Sequence, residues 1–381
     1  MNARIRRLGP ASECLSSGLR MIKFYAFGRS AFRLHPFPAG RNGMHKLARF
    51  SLVFFPAYFC SCNLAITPVA PSPTHSPTAT FTPTATAIPP ETPTPSPTPR
   101  PAAKRVVIIS VDGLRPDGLL QANIPRISGL INGGAFTFTA RTIFPSGTLP
   151  AHASMVSGRC VSKHGIIWND LIPSEEPLQG ATVFSLAKEA GLRTVMVVGK
   201  EKLITLARPG TVDTFRFISG SDEAIVQAAL YEASSGFGVL FVHLILPDFF
   251  GHSSGWMSPA YLGGIGRDDA AVGTLLDGLG ALGLMDNALI ILTADHGGHD
   301  LTHGTYQKED MTIPWIVFGL GVPAGIPIEV PVSVMDTAAT AVWGLGLTVP
   351  ADWDGRPVVE AFGLQAELLP IATASATRCG I

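Results

Sequence analysis

A three-layer α/β sandwich around a central, largely parallel sheet is predicted by two features of the chain from Lys104 onward. Strand-like apolar runs alternate with segments of helical character. Acidic and imidazole side chains also gather just beyond the carboxyl ends of those runs, the edge at which open parallel sheets bind ligands. With 381 residues and 46% apolar content, the chain can bury one large core or two modest ones, and nothing in it suggests a fibre.

The 28 basic and 28 acidic residues leave a formal net charge of zero. No global field draws nucleic acid or an anionic membrane, so polyanion binding has to be local and no stable nucleic-acid partner is expected. The cysteines are few and scattered. Cys14, Cys60 and Cys62 precede the folded part, Cys160 lies inside it and Cys379 sits near its end, a pattern with no zinc-knuckle spacing and no disulfide framework. Cys160 reads as a small buried hydrophobe rather than a reactive thiol.

Residues 1–43 are basic, lack sustained periodicity and are read as an upstream extension or disordered segment, the functional start being Met44. From there MHKLARFSLVFFPAYFCSC has a charged beginning, a short apolar run and small residues, the layout of an export signal over 44–66. The run from Phe50 to Phe59 is too short for an ordinary spanning helix, and Pro56 interrupts it. Ser61 before Cys62 loosely resembles a lipoprotein cleavage box, although Phe59 and Cys60 fit it poorly. A lipid on Cys62, plain secretion and an uncleaved anchor all stay open. Residues 67–103 are dominated by Pro, Thr, Ser and Ala, which cannot bury a core and form an extended tether. The expected location is extracytoplasmic, as a cell-surface lipoprotein or a secreted protein, with membrane contact only through that N-terminal segment.

The folded domain is expected over 104–365, with a tail over 366–381. Val106 to Ser110 is its first buried strand. Further strands are expected at Thr194–Val198, Val239–Leu246, Ala288–Thr293 and Trp315–Phe318, flanked by helices at Thr182–Ala190, Asp222–Ala233 and Tyr261–Leu282. In the stretch FPSGTLPAHASMVSG, Thr148 stands at the head of a helix that continues through Ala151 to Val156, with Pro150 at an early position where its missing N–H costs nothing. The first-turn N–H groups and the helix dipole would favour an anion beside Thr148. A Thr at such a place also serves as an ordinary N-cap.

Asp112 follows the first strand. Asp248 and His252 follow the third and meet on one ion if their loop turns helically. Asp295 and His296 follow the fourth, and His303 completes the set with His299 as its competitor. Three Asp and three His so concentrated at strand ends are best explained by two divalent metals. Oxygen and imidazole donors suit Zn²⁺, with Mn²⁺ or Fe as lesser alternatives. Three carboxylates against two dications leave a site of about +1, which a Thr alkoxide would neutralise. Metals roughly 4 Å apart would then serve an in-line displacement.

These residues and their order resemble the alkaline phosphatase superfamily, in particular its type I phosphodiesterase and nucleotide pyrophosphatase branch. VDGLRPD resembles the first metal motif, TLPAHASMVSG the nucleophile motif and HGIIWND the segment whose Asn helps to hold phosphate; PDFFGHSSG, ADHGG and THG follow in the family's order. VMDTAATAVWGLGL and DWDGRPV resemble the closing helix and loop. The likeness spans most of Arg105 to Val358 and implies an alkaline phosphatase-like fold. It also implies one metal held by Asp248, His252 and His303, and a second held by Asp112, Asp295, His296 and the Thr148 oxygen. Thr148 would attack phosphorus to form a phospho-threonine, which water hydrolyses, while Asn169 donates to a non-bridging oxygen beside the N–H at the helix start.

Departures bear on the substrate. Leu149 stands where nucleotide-handling relatives carry an aromatic, so Trp168, Phe249 or Tyr306 would have to supply stacking, and each is equally a packing residue. Ala151 replaces the usual Asn, and His152 reads as structural. The short interval from His296 to His303 fits a compact member. No Cys or Ser stands in the sulfatase pattern, which lowers sulfate ester cleavage. No Arg is placed by motif to grip a phosphomonoester, and Arg115, Lys163 and Lys308 read as solvated, so a singly charged diester suits the site better. The expected function is hydrolysis of phosphodiester or pyrophosphate bonds in a small phosphodiester or nucleotide. Its alternatives are a phosphonate or phosphomonoester hydrolase on the same scaffold, or a non-catalytic surface metal-binding module. The oligomeric state is left open.

Overall fold

The computed structural model describes residues 102–365 and Cys379. The upstream extension, the export signal with Cys62, the tether up to Pro101 and the rest of the tail lie outside the described residues. The described part belongs to the compact unit Pro90–Ile381. Among the described residues no helix is long and apolar enough to cross a membrane.

Eight strands form one sheet: β1 Arg105–Val111, β2 Ala135–Arg141, β3 Thr194–Val198, β4 Thr214–Phe217, β5 Val239–Leu244, β6 Ala288–Thr293, β7 Thr312–Gly319 and β8 Ile326–Pro327. Their order is β4-β3-β5-β1-β6-β7-β2-β8. Every pairing is parallel except the two made by β7, which runs antiparallel to β6 and to β2. The expected largely parallel sheet is therefore present with one reversed strand.

The central strands are fully buried: Val106, Val107, Ile108 and Ile109 of β1, Val239 to Val242 of β5 and Leu289 to Leu292 of β6 have at most 1% exposure. Covering each such side chain contributes about 1.5–3 kcal/mol, and such runs fit strands shielded on both faces. Two helix groups supply the cover. The Pro125–Gly133, Asp222–Ala233, Leu246–Ser254 and Pro259–Ala281 helices pack together on one side, and the Thr148–Ser157, Val183–Glu189 and Asp336–Gly344 helices on the other.

The five expected strands are all formed, and three shorter or half-exposed ones join them. β2 alternates between buried and exposed positions, and β4 is exposed over its second half. The third expected strand stops at Leu244 rather than Leu246, because the chain turns into a helix there with Pro247 in its first turn. The expected absence of a disulfide fails, although Cys160 is buried as expected. Cys160 is joined to Cys379 in a disulfide across 219 residues. It is therefore not a free buried thiol, and a partner so distant leaves no local spacing to read.

Candidate active site

The register of the three central strands sets the site. Ser110 of β1 lies beside His243 of β5 and Thr293 of β6, so the residues that follow each strand emerge at one edge. Asp112 arrives directly after β1, and Asp295 and His296 just after β6. The Asp248 N–H donates to the Asp112 carbonyl at 3.0 Å, and the Gly113 N–H to Asp295 Oδ1 at 3.2 Å. Gly113 has φ of +70°, and a Cβ there would lie 3.0 Å from the Asp248 Cα, so only glycine allows these two loops to meet.

The loop after β5 does turn helically. In the Leu246–Ser254 helix Asp248 and His252 sit four apart on one face, with His252 Nε2 3.3 Å from Asp248 Oδ1. His303 Nε2 comes within 3.7 Å of the same oxygen. In all three ligand-candidate histidines Nδ1 faces a backbone carbonyl: His252 that of Leu301 at 2.9 Å, His296 that of Gly297 at 2.7 Å and His303 that of Ser146 at 2.8 Å. Placing the proton on Nδ1 leaves each Nε2 lone pair aimed inward, which is how proteins prepare imidazole for a metal.

The buried polar atoms without a hydrogen-bond partner include Asp112 Oδ1, Asp248 Oδ1, Asp295 Oδ2 and His296 Nε2. Burying unsatisfied carboxylate oxygens is costly without a cation. The donors form two compact groups, Asp248 with His252 and His303, and Asp112 with Asp248 and His296. Asp248 belongs to both, a sharing that the sequence did not suggest. Asp295 Oδ2 lies 3.3 Å from His296 Nε2 and borders the second group. These residues fit a pair of divalent cations.

Electrostatics agree with that fit. Burial, reinforced by Asp112, pushes the Asp295 carboxyl up to about 6. Burial favours neutral His296, yet Asp295 and Asp112 outweigh it and push the imidazole up to about 9. Burial and then His296 push His303 down to about 3. The carboxylates draw positive charge from whatever is near, and a divalent ion would displace the proton on His296.

Thr148 is fully buried and is the first residue of the Thr148–Ser157 helix, whose N-cap is Gly147. Its hydroxyl caps nothing. Behind it, His152 has Nδ1 2.7 Å from the Thr148 carbonyl and Nε2 2.8 Å from Ser110 Oγ, bracing the helix against β1. Burial and the neighbouring His243 hold His152 well below the usual imidazole range, consistent with a structural role. Asn169 reaches the helix start, where its Oδ1 accepts from the Leu149 N–H at 2.9 Å and from Lys202 Nζ at 3.0 Å. The Leu149 N–H is thus committed to Asn169 rather than standing beside it as a second donor.

Sequence reasoning missed Lys200, Lys202 and His243. Lys200 Nζ lies 2.7 Å from Asp112 Oδ2, 2.6 Å from Asp248 Oδ2 and 3.2 Å from Thr148 Oγ1, at the middle of the cluster. His243 Nε2 is 2.9 Å from Asp112 Oδ2. The signals were present: Lys200 and Lys202 follow an expected strand, and His243 interrupts an apolar run. Other candidates lie elsewhere. His299 pairs with Asp310 at 2.7 Å, Arg115 with Asp117 at 2.5 Å and Lys163 with Asp354 at 2.7 Å, while Lys308 is exposed.

A second carboxyl pair sets the entry to the Asp248 helix. Asp222 accepts from the Ile245 and Leu246 N–H groups at 3.0 Å. Near Asp222 lies Asp268, which is fully buried with no hydrogen-bond donor on either oxygen. Burial and then Asp222 push the Asp268 carboxyl well above the ordinary range, and nearby Glu223 adds to this while Arg267 opposes it. Stability from a raised carboxyl is complete below its unfolded value, near 4, and is lost as pH rises toward the folded value, by about 1.4 kcal/mol per unit. Asp268→Asn keeps a donor without the titration. It is expected to match the wild type near pH 4 and exceed it increasingly toward pH 8 in denaturant unfolding; a gap that does not change with pH would refute the raised Asp268 carboxyl.

Residues 106–315 match the family described as type I phosphodiesterase / nucleotide pyrophosphatase. Ectonucleotide pyrophosphatase/phosphodiesterase family member 1 of Mus musculus is 30% identical over 218 residues, 50% of this chain and 24% of that protein. Bis(5'-adenosyl)-triphosphatase enpp4 of Mus musculus is 26% identical over 220 residues, 51% and 47% of the two chains. The matched region thus spans from about a quarter to about half of these relatives' length. Among solved structures, an inactive murine ectonucleotide pyrophosphatase / phosphodiesterase 5 in complex with AMP superposes with a TM-score of 0.58 at 16% identity, covering 65% of this chain and 96% of that one. The phosphonate monoester hydrolase of Silicibacter pomeroyi gives 0.55 at 16% identity, covering 68% and 77%. These structures share the fold.

Proposed function

Because the chain belongs to the type I phosphodiesterase / nucleotide pyrophosphatase family, we propose that its domain is a metal-dependent hydrolase of phosphodiester or pyrophosphate bonds with Thr148 as the nucleophile. The observation that carries this reading is the convergence of orphaned carboxylate oxygens and inward-facing Nε2 atoms beside one buried, uncapped hydroxyl. Asp248, His252 and His303 would hold one cation, and Asp112, Asp295 and His296 the other, with Asp248 on their shared border. Two divalent cations, for which Zn²⁺ fits the donor set best, would lower the hydroxyl pKa and offset charge on the departing oxygen.

The remaining work falls to the chain. Thr148 forms the new P–O bond as the bond to the leaving oxygen breaks, and its proton passes through solvent to that oxygen; water then cleaves the phospho-threonine, releasing the phosphate product and returning the hydroxyl. His152 fixes the Thr148 backbone, so the oxygen is presented in one orientation. Lys200 faces that oxygen and supports negative charge on it or on the phosphoryl group. Asn169 is held against the helix start with its amide nitrogen outside those bonds, in place to donate to a phosphoryl oxygen.

Lys200 and Lys202 also favour a second reading. The preference for a singly charged diester rests on the lack of an Arg placed by motif, whereas Lys200 Nζ lies 3.2 Å from Thr148 Oγ1 and Lys202 Nζ 3.0 Å from Asn169 Oδ1. They suit a phosphomonoester or phosphonate, which carries more charge. Supplying Zn²⁺ and comparing bis-p-nitrophenyl phosphate, p-nitrophenyl phosphate and a phenylphosphonate ester decides between the two. A diester preference supports the first, a monoester or phosphonate preference the second, and release from none supports a metal-binding module. The Cys160–Cys379 disulfide suits an oxidising compartment, in keeping with an exported, tethered domain. Lipid at Cys62 or plain secretion is decided by mass spectrometry of the mature N-terminus.

A further inference from the structure

A cleft of about 340 Å³ opens beside the cluster, lined by Lys200, Ile245, Asp248, Phe249, His252 and Ser253. Phe249 stands next to Asp248 in the Leu246–Ser254 helix and keeps 58% of its surface exposed. Exposed aromatics are common and need no ligand to explain them. The position of this ring is informative because three of its cleft neighbours belong to the reacting centre. Lys200 Nζ, 3.2 Å from Thr148 Oγ1, is 2.6 Å from Asp248 Oδ2, and Asp248 Oδ1 is 3.3 Å from His252 Nε2. That series links the hydroxyl to the cleft, with Lys200 belonging to both.

In-line displacement sends the leaving group out opposite the attacking oxygen. A group leaving phosphorus on the Asp248–His252 side would meet Phe249 and Ile245. Lys200 is engaged by Asp112 and Asp248, so the apolar part of the lining is supplied by Phe249 and Ile245. Phe249 and His252 are three apart on the helix and Phe249 and Ser253 four apart, so the ring and the donor face the same side. We propose that this cleft is a leaving-group subsite, in which Phe249 stacks on an aromatic ring carried by the departing alcohol. The proposal rests on Thr148 being the nucleophile, and it names a substrate class: esters whose leaving alcohol bears a flat apolar ring close to the ester oxygen.

Phe249 is exposed and makes an edge-to-face contact with Phe250 at 5.3 Å, so its truncation leaves the core intact. The test uses the full chain supplied with Zn²⁺ and carrying Thr148→Ala, which binds without turning over. Diphenyl phosphate and dimethyl phosphate are titrated calorimetrically, with and without Phe249→Ala or Phe249→Tyr. Diphenyl phosphate is expected to bind about five- to tenfold more tightly than dimethyl phosphate. Phe249→Ala should erase that preference, Phe249→Tyr should keep it, and dimethyl phosphate should be indifferent to both. Equal binding of the two ligands, binding of neither, or an aryl preference that survives Phe249→Ala overturns the subsite. Wild-type turnover of bis-p-nitrophenyl phosphate is scored separately: turnover without the Phe249-dependent preference sinks the subsite alone, and the preference without turnover sinks the hydrolase reading.

Discussion

Thr148→Ala is expected to lower hydrolysis of the preferred ester by roughly 10⁴-fold or more, because loss of a nucleophile removes the covalent route altogether. Thr148→Ser, which keeps the hydroxyl, should retain a measurable part of the rate. The fold should scarcely notice either change. Thr148 is buried, yet its hydroxyl does not cap the helix, and the His152 contact is made to its backbone carbonyl. A stability change within about 1 kcal/mol, together with unchanged metal content, would assign the loss to chemistry rather than folding. If Thr148→Ala kept the wild-type rate, another group would have to be the nucleophile.

Asp248→Ala is expected to have the widest consequences for the centre. Asp248 supplies an orphaned oxygen to both donor groups and faces Lys200 at 2.6 Å with its other oxygen. Changes one shell further out already weaken metal binding 10–100-fold, so loss of this carboxylate should lower affinity at both positions by at least about a hundredfold and abolish turnover with it. Lys200 would also lose one of its two buried partners, and breaking such a pair costs about 3–5 kcal/mol where burial is deep. His252→Ala provides the contrast, since His252 belongs to only one group and its side chain is 45% exposed. It should impair one position and leave the other filled. Metal stoichiometry after dialysis reads both results, and equal loss in the two variants would contradict the shared role of Asp248.

Much of this centre was legible because its donors follow directly from strand ends. Asp112, Asp295 and His296 fall where parallel strands deliver them, and the spacing of Asp248 and His252 needed only a helical turn to bring them together. His303 could not be separated from His299 by spacing alone; the Ser146 carbonyl and the Asp310 carboxylate decide between them in space. Asn169 came from resemblance rather than spacing, and its commitment to the Leu149 N–H is a tertiary fact.

What escaped the sequence shares a cause. Lys200 reaches the site from the end of β3, where a lysine beside Glu201 looks like an ordinary solvated pair. Asp268 looks like one more charge on a long helix until burial sets it against Asp222. Reversal of β7 depends on its path after His303, since an apolar run carries no direction, and β4 is too exposed to show a strand pattern. Cys160 and Cys379 are linked by geometry across most of the folded chain.

Anomalous diffraction at the zinc edge, from crystals of the wild-type chain supplied with Zn²⁺, tests the central claim most directly. Two peaks roughly 4 Å apart are expected, one bounded by Asp248, His252 and His303 and the other by Asp112, Asp295 and His296 beside Thr148. No peak, a single peak, or peaks away from these side chains would contradict the account.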